Sequence, residues 1–226
     1  MGRIPNGLRV LDLYCHRGGM GMGYWLAGFD VVGVDIDADC AAEYPFEFVH
    51  GDAIEYLLAH GEEFDLIHGS PPCQAWSPLN AYNKIEYPEL ITPTREAMLT
   101  VGKPHAIENV EAARAELIDP ILLCGPMFGL PMYRHRLMET SFPLVAPEHP
   151  AHGPLCTRNG YLPTPERPFM TITGGKHSRA WQRAAAEAMG TPWITTVKGV
   201  CEAIPPPYAR WVGEAFLASV ETEVAA

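Results

Sequence analysis

Apolar and polar positions alternate in short blocks along the first seventy residues. Residues 8–13 (LRVLDL), 30–35 (DVVGVD) and 64–69 (FDLIHG) are apolar runs of strand length, and the helix-compatible stretches GYWLAGF and AIEYLLAHG lie between them. Strands that alternate with helices across glycine-rich turns form parallel sheets, whose ligands bind at the carboxyl ends of the strands. The pattern therefore predicts an α/β fold with a doubly wound, parallel-rich sheet.

The remainder of the chain is less regular. Residues 75–93 are polar, aromatic and punctuated by proline, which predicts a long loop lying over the site as a lid. Residues 142–177 are rich in proline, glycine and histidine without a helical period, which predicts a small separate module with irregular or short β structure. Further elements are expected as helices over 93–101, 180–189 and 208–220 and as a strand over 105–110.

The net charge of −11 disfavours a polyanionic partner, but the charges are unevenly distributed. Residues 1–70 carry 3 Lys and Arg against 12 Asp and Glu, whereas residues 127–212 carry 9 against 5, together with four histidines. Because charges act on phosphate only within a Debye length of about 8–10 Å, the local balance decides binding. The second region can therefore face a nucleic acid, although an acidic protein without such a partner would show the same total charge.

The six cysteines are widely spaced and form no C-x-x-C pair, which favours reduced thiols over a disulfide framework. We expect Cys15, Cys40, Cys124 and Cys201 to be small core residues. No apolar run reaches the roughly 18 residues of a transmembrane helix, and the start MGRIPNGLRV has no signal-peptide core. The expectation is a cytoplasmic, monomeric protein without a membrane partner.

The first strand-turn-helix unit has features of a site for an adenosyl cofactor. Residues 15–23 (CHRGGMGMG) hold four glycines, which allow the backbone to approach a ligand closely at a helix N-terminus. Asp35 ends the second strand, where a carboxylate can accept from both ribose hydroxyls. Asp52 ends a further strand, just before the helix-compatible stretch AIEYLLAHG, where it can accept from an adenine amino group. A nicotinamide-dependent dehydrogenase would share these features.

Two prolines precede Cys73 at the end of the 64–69 strand. They fix the backbone and present the sulfur rigidly to the crevice, an arrangement that a purely structural cysteine would not need. A thiolate in this position is a candidate nucleophile. Glu108, at the end of the 105–110 strand, is the carboxyl group available as its acid partner, although alone it could equally cap the strand end.

Taken together, these motifs resemble the DNA cytosine-5 methyltransferase family. The matching segments follow one another in the family's order and cover most of the chain outside residues 142–180. PPCQ followed by ENV and RxR is highly specific, and the brevity of the chain is similar to that of compact phage-encoded members. The segments are LDLYCHRGG (11–19), VDID (34–37), GDA (51–53), PPCQ (71–74), ENV (108–110), RHR (134–136) and AIPPPYARWVG (203–213).

The resemblance implies a Rossmann-like, S-adenosylmethionine-dependent methyltransferase fold in three parts. These are a catalytic and cofactor-binding domain (1–141), a reduced target-recognition region (142–180) and a C-terminal segment (181–226) that returns to the catalytic domain. The implied reaction transfers a methyl group from S-adenosylmethionine to C5 of a cytosine flipped out of double-stranded DNA.

Roles for single residues also follow from the resemblance. Attack of the Cys73 thiolate on C6 would make C5 of the cytosine nucleophilic, and Glu108 would contact N3 and the exocyclic amine. Arg134 and Arg136 would hold the cytosine carbonyl and orient Glu108, from one face of a shared strand. The cofactor pocket would be lined by Tyr14, Cys15, Gly18, Gly19, Asp35, Ile36, Asp52, Ala53, Pro72, Glu202 and Ala203.

Three residues depart from the family's pattern, although none belongs to the covalent chemistry. His16 stands where glycine is usual, Met132 where glutamine is usual, and Glu202 where asparagine is usual. His16 would alter the pocket near the methionine moiety. The recognition region is much shorter than is usual, which predicts short or relaxed DNA specificity.

No metal site is expected from the sequence. His149, His152 and Cys156 have suitable side chains but no fourth partner nearby, and structural zinc usually takes four ligands. We interpret them as part of a polar loop near phosphate. Trp76, in the predicted lid, is a candidate for DNA contact. Candidates for phosphate contact, or else for solvated surface charges, are Arg158, Lys176, Arg179 and Arg183.

Other functions stay open on the sequence alone. A catalytically weak homologue that occludes sites on DNA would fit the short recognition region, but binding alone needs no thiolate. A transferase with a variant one-carbon donor would fit His16. The RNA-acting branch of the family carries a CFT-type element that the sequence lacks, and an exocyclic-amine methyltransferase would need an aromatic residue in place of Cys73.

Overall fold

The computed structural model describes residues 3–76 and 86–224, and its strands form a single seven-stranded sheet. The strands are β1 (Arg9–Leu13), β2 (Asp30–Asp35), β3 (Glu47–His50), β4 (Leu66–Gly69), β5 (His105–Asn109), β6 (Ile121–Leu123) and β7 (Arg136–Thr140). Their order across the sheet is β3-β2-β1-β4-β5-β7-β6. The first five strands pair in parallel, and β7 is antiparallel to both β5 and β6.

Helices cover both faces of the sheet. They are α1 (Gly19–Leu26), α2 (Ala53–His60), α3 (Ile91–Val101), α4 (Arg179–Met189), α5 (Val197–Glu202) and α6 (Pro206–Val224). One apolar core joins the sheet to α1 and α6, and a second joins its other side to α2 and α3. Gly23 permits the close approach of α1 to α6, because a Cβ there would lie 2.6 Å from Ala209 Cβ. Within the described residues, no helix is long and apolar enough to cross a membrane.

The parallel-rich α/β fold predicted from the hydrophobic pattern is confirmed. The β6–β7 hairpin and the short helix α5 are elements that the pattern does not predict. The expectation that Arg134 and Arg136 share one strand is wrong, since Arg136 begins β7 and Arg134 lies in the preceding loop. Residues 77–85 of the predicted lid lie outside the described residues, while Trp76 ends a short 3₁₀ turn.

The segment 142–178 contains no helix or strand. Its backbone is connected only by isolated bridges, such as those between Cys156 and Phe169 and between Met132 and Met170. Most of its side chains are exposed, and Met170 and Ile172 anchor it by packing with Trp181 of α4 in a third apolar cluster. This agrees with the irregular module expected there, while the exact limits 142–180 stay a prediction.

Candidate active site

Cys73 lies just beyond β4, in a turn fixed by the neighbouring strand. The Asn109 side-chain amide, at the end of β5, donates a hydrogen bond of 2.9 Å to the Pro71 carbonyl. The Trp76 amide donates to the Cys73 carbonyl at 3.1 Å, which begins the short 3₁₀ turn. Since Pro71 and Pro72 also restrict the backbone, the thiol is held at the carboxyl edge of the sheet.

Glu108 is buried on β5, with 4% of its surface exposed. Arg136 Nε lies 2.9 Å from Glu108 Oε1, so the carboxyl group has a cationic partner from β7. Burial raises the pKa of Glu108, whereas Arg136, the Ser70 hydroxyl and Arg134 oppose this rise. The carboxyl group is therefore protonated over a wider pH range than an exposed glutamate, as a proton donor requires.

Arg134 is buried between Arg136 and the C-terminal part of the chain. Its guanidinium donates to the Cys201 carbonyl at 2.7 Å, and Tyr208 Oη donates to the Arg134 carbonyl at 2.6 Å. Burial, followed by repulsion from Arg136, lowers the pKa of Arg134 to about 9. The arginine still carries its charge at neutral pH, and α5 and α6 fix its position.

The ionisation of Cys73 is controlled by these neighbouring groups. Burial raises the pKa of the Cys73 thiol, the carboxylate of Glu108 raises it further, and Arg136 and Arg134 lower it. The resting thiol is therefore neutral, and a thiolate formed there is stabilised mainly by Arg136. Protonation of Glu108 removes this repulsive negative charge. The ionisation of the Cys73 thiol is therefore coupled to the protonation of Glu108.

A buried chain of hydrogen bonds leads from α1 to Glu108, and no motif of the sequence predicts it. Tyr24 Oη and His68 Nδ1 share a hydrogen bond of 3.0 Å, and His68 Nε2 and Ser70 Oγ share one of 2.9 Å. The Ser70 hydroxyl in turn lies beside the Glu108 carboxylate and lowers its pKa. Burial lowers the pKa of His68 to about 3, so this imidazole is neutral and orients Ser70 without adding charge.

The loop between β1 and α1 forms the other end of the site. Asp35 Oδ2 accepts the backbone amide of His16 at 2.8 Å, and Asp35 Oδ1 accepts that of Asp37 at 2.9 Å. Tyr14 and His16 adopt left-handed backbone angles, with φ of 56° and 46°. Such conformations strain residues other than glycine by about 1–3 kcal/mol. This explains physically why glycine would suit position 16.

Two of the departures from the family's pattern are paired with each other. His16 Nε2 lies 2.9 Å from Glu202 Oε2, across the wall of the cleft. Each side chain is partly exposed, so the pair contributes little by itself. The pair does connect the β1–α1 loop to the end of α5. Nothing in the sequence indicates that His16 and Glu202, the two departures from the family's pattern, contact each other.

These residues enclose a cleft of about 380 Å³, a size suited to a small-molecule ligand. It brings together most of the predicted site: Cys73, Glu108, Arg134, Arg136, Tyr14, Cys15, Gly19, Asp35, Ile36, Pro72, Glu202 and Ala203. Gly18, Asp52 and Ala53 do not line it. Gly18 instead precedes α1, and the Asp52 carboxylate caps α2 by accepting the Ile54 and Glu55 amides at 2.9 Å each.

Asp12 is a lining residue that the sequence motifs do not single out. It lies on β1 with one carboxylate oxygen accepting from Tyr44 Oη at 3.0 Å and the other oxygen without a partner within the described part of the chain. Burial raises its pKa to about 7. The only signal in the sequence is its place in LDL, a polar residue inside an apolar strand.

A second cleft adjoins the first at Cys73, Arg134 and Arg136. It opens toward the 142–178 segment and is lined there by Ile172 and Thr173, with Trp76 and Tyr133 on its other sides. Two separate entrances therefore lead to the same thiol.

The strand order and the cleft at the carboxyl ends of β1, β2, β4 and β5 define a Rossmann-like methyltransferase fold. Residues 8–116 match the model of the C-5 cytosine-specific DNA methylase family. The segment contains Cys73 and Glu108. The family expected from the motifs is thereby confirmed.

Individual proteins resemble shorter stretches. The type II methyltransferase M.AplI of Arthrospira platensis is 36% identical over 78 residues, which are 33% of this chain and 22% of that protein. A protein of Methanocaldococcus jannaschii named "putative ribosomal RNA large subunit methyltransferase" is 32% identical over 89 residues, which are 33% of this chain and 23% of that protein. The chain thus matches less than a quarter of the length of either relative.

One solved structure resembles nearly the whole fold. It is named a "putative DNA modification methyltransferase" encoded within a prophage of E. coli, and it aligns with a TM-score of 0.65 over 95% of this chain and 100% of its own. At 15% identity, this likeness establishes the fold alone.

Proposed function

We propose that the chain is a DNA cytosine-5 methyltransferase that uses S-adenosylmethionine and Cys73 as its nucleophile. The observation that carries the proposal is the meeting of two clefts at Cys73, with buried Glu108 and Arg136 beside it. A methyl donor and a target base can reach the same thiol from different sides. The family of residues 8–116 supports C5 of cytosine as the position modified.

The first cleft suits S-adenosylmethionine in shape and charge. Away from Glu108, Arg134 and Arg136, the cleft is lined by the acidic side chains of Asp12, Asp35, Asp37 and Glu202 and by two cationic ones, Arg17 and Lys198. The excess of acidic groups there favours a ligand with a cationic sulfonium. Asp35 lies at the carboxyl end of β2, where it can accept from ribose hydroxyls. The unpartnered buried oxygen of Asp12 offers a further acceptor. When bound, the cofactor supplies an electrophilic methyl group.

The catalytic residues perform the remaining steps on the base. Cys73, as a thiolate stabilised by Arg136 and Arg134, forms a bond to C6, while protonated Glu108 donates to N3. This makes C5 nucleophilic, and C5 takes the methyl group. Loss of the C5 proton to solvent then supplies the electrons that expel the thiolate from C6, and N3 returns its proton to the Glu108 carboxylate.

Double-stranded DNA is the proposed partner, with the target base turned out of the helix into the second cleft. Arg158, Lys176, Arg179 and Arg183 are exposed and form no ion pair among the residues that the structure describes. They are available to phosphates, so binding should depend strongly on salt.

Transfer of labelled methyl groups to DNA tests the proposal. Wild type should label cytosine C5 and should form a denaturation-resistant adduct with DNA that contains 5-fluorocytosine, because fluorine cannot leave as the C5 proton does. Cys73→Ser should lose the adduct and nearly all turnover while still binding DNA, whereas the control Cys156→Ser should keep both. Turnover in Cys73→Ser at the wild-type rate would falsify the covalent mechanism.

The relative named as a ribosomal RNA methyltransferase points to RNA as a second candidate substrate. The same assay on matched DNA duplexes and RNA transcripts separates the two. We expect methylation of DNA, since residues 8–116 match a DNA methylase family. Labelling of RNA alone would transfer the assignment to RNA.

A further inference from the structure

Four metal-binding side chains converge beside the second cleft. The ligand atoms of Cys124, His135, His149 and His152 all lie within 4.8 Å of one another. Cys124 directly follows β6, His135 directly precedes β7, and the two other histidines belong to the 142–178 segment. Cys156, which the spacing along the sequence groups with His149 and His152, is not among them.

The spacing of the ligand atoms fits a tetrahedral centre. Bond lengths of about 2.0–2.1 Å to nitrogen and 2.3 Å to sulfur place tetrahedral ligands about 3.4 Å apart for two nitrogens and about 3.6 Å apart for nitrogen and sulfur. His135 Nε2 and His152 Nε2 are 3.4 Å apart, and Cys124 Sγ is 3.5 Å from His152 Nε2. These two edges already have the separations that a bound ion would impose.

The surroundings of the cluster favour a cation at its centre. His135 Nδ1 lies 2.6 Å from Glu111 Oε2, so that a proton on Nδ1 is donated to the carboxylate and Nε2 turns its lone pair toward His152. Cys124 is buried, and its sulfur lies 3.5 Å from His152 Nε2. Three imidazole nitrogens and a cysteine sulfur that lie this close together can share one divalent cation as their common partner.

We propose that these four residues bind a structural zinc ion. Nitrogen and sulfur ligands select zinc among the common divalent cations, and four protein ligands close its coordination sphere. Glu111 would hold His135 in the metal-binding tautomer, as carboxylates do next to many zinc ligands.

The site would attach the irregular segment to the catalytic sheet. His135 stands between Arg134 in the loop and Arg136 at the start of β7, so the ion would connect His149 and His152 directly to the backbone next to both arginines. Tyr133 contributes a second attachment, because its ring stacks on His152 at 3.8 Å and its hydroxyl donates to the Pro154 carbonyl at 2.8 Å. The zinc would thus fix the wall of the second cleft that faces DNA.

Metal analysis of the purified chain tests the proposal without reference to catalysis. Protein produced with zinc in the medium and passed over a desalting column should retain about one zinc per chain. His149→Ala and His152→Ala replace exposed side chains, and each should reduce zinc content at least severalfold. The matched controls Cys156→Ser and His177→Ala should retain the metal and the wild-type melting temperature.

Cobalt substitution tests the ligand set itself. Chelator-treated protein titrated with Co²⁺ should develop the intense visible bands of a tetrahedral site at one equivalent, with a sulfur-to-metal charge-transfer band that Cys124→Ser abolishes. Zinc should raise the melting temperature of wild type by several degrees and leave that of His152→Ala unchanged.

Three outcomes would overturn the inference. The first is wild type with less than about a tenth of an equivalent of any transition metal, combined with no response to Zn²⁺ or Co²⁺; the cluster would then be a chain of hydrogen bonds from Glu111 to Cys124. The second is metal content that survives in the His149 and His152 variants. The third is iron or copper at one per chain in place of zinc, which would overturn the identity of the ion.

Discussion

The sheet and the 142–178 segment are built by different physical means. In the sheet, strands and helices bury apolar side chains on two sides, and its catalytic residues sit at strand ends held by backbone hydrogen bonds. The 142–178 segment buries few side chains and has only isolated bridges. Burial suffices to position Cys73 and Glu108, whereas the segment depends on a few specific contacts around Tyr133 and the Cys124–His152 cluster. Chemistry and DNA contact should therefore be separable by mutation.

The strongest test of this separation is Glu108→Gln, on the sheet side. Loss of a positioned general acid costs roughly 10²–10⁴-fold in rate, and DNA affinity should change little. A control on an exposed helix face, Glu96→Gln, should behave like wild type. Single-turnover rates and DNA affinities should be measured on the same preparations. If both the rate and the affinity fell together in Glu108→Gln, the mutation would not separate chemistry from DNA contact.

The pH dependence of Glu108→Gln sharpens the same point. Burial raises the pKa of both Glu108 and Cys73, and the active form pairs protonated Glu108 with the Cys73 thiolate. Between the two pKa values, gain of thiolate offsets loss of the acid, so the rate of wild type should be flat. In Glu108→Gln only the thiolate titrates, and the rate should climb by about tenfold per pH unit over the same range. Parallel profiles would exclude Glu108 as the acid.

Substitutions of Asp35 and Asp52 should affect different properties of the sheet region, namely cofactor binding and folding stability. Asp35 lines the cleft, and Asp35→Ala should weaken S-adenosylmethionine by about 1.5–3 kcal/mol, the scale of a hydrogen bond to a charged group. Asp52 caps α2, so Asp52→Ala should instead lower the free energy of unfolding by about 1 kcal/mol. Asp52→Asn retains the cap and should restore stability. If calorimetry showed weakened cofactor binding in Asp52→Asn, Asp52 would be a ligand of the adenine group, as the sequence predicts.

A smaller effect is expected for the pair of His16 and Glu202, which connects the β1–α1 loop to α5. In a Glu202→Asn background, His16→Gly should stabilise the fold by about 1 kcal/mol, because glycine accepts the left-handed backbone there. In the wild-type background the gain should be smaller by the stabilisation that the ion pair contributes, up to about 1 kcal/mol. Chemical denaturation of the four proteins measures this coupling, and additive effects would show that the two departures are independent.

The smallest effect belongs to the 142–178 side. Lys176→Ala with Arg179→Ala should lower DNA affinity a few-fold for all sequences alike and reduce the salt slope by about one for each phosphate that is no longer bound. Single-turnover chemistry at saturating DNA should stay at the wild-type rate. Unchanged affinity and slope would mean that DNA lies on another face of the molecule.

The sheet is predictable from the sequence because local patterns encode it. Apolar runs bounded by glycine mark β1, β2 and β4, and strand ends in a parallel sheet meet at one edge whatever their separation along the chain. The hydrophobic pattern therefore suffices to place PPC and ENV in one cleft. Strand β7 escapes this pattern, since the run RLMET is too short and too polar to stand out.

The sequence does not predict contacts between residues that are far apart along the chain and belong to no periodic pattern. His16 and Glu202 are far apart along the chain, and nothing local reveals that the two substitutions face each other. The cluster of Cys124 and three histidines escapes prediction for the same reason, because its ligands come from a strand end, a loop and an irregular segment. Cys124 is buried, as expected for a core residue, but its sulfur faces the histidines.

The attachment of Arg134 sets an order of events during synthesis of the protein. Its guanidinium and its carbonyl are held by Cys201 and Tyr208, which lie 67 and 74 residues further along the chain. At about 5–20 residues per second, a ribosome needs several seconds to add them after Arg134. During that interval the nascent chain already contains Cys73 and Glu108 but has no fixed Arg134 beside them. The bonded position of Arg134 can therefore form only after residues 201 and 208 have been added.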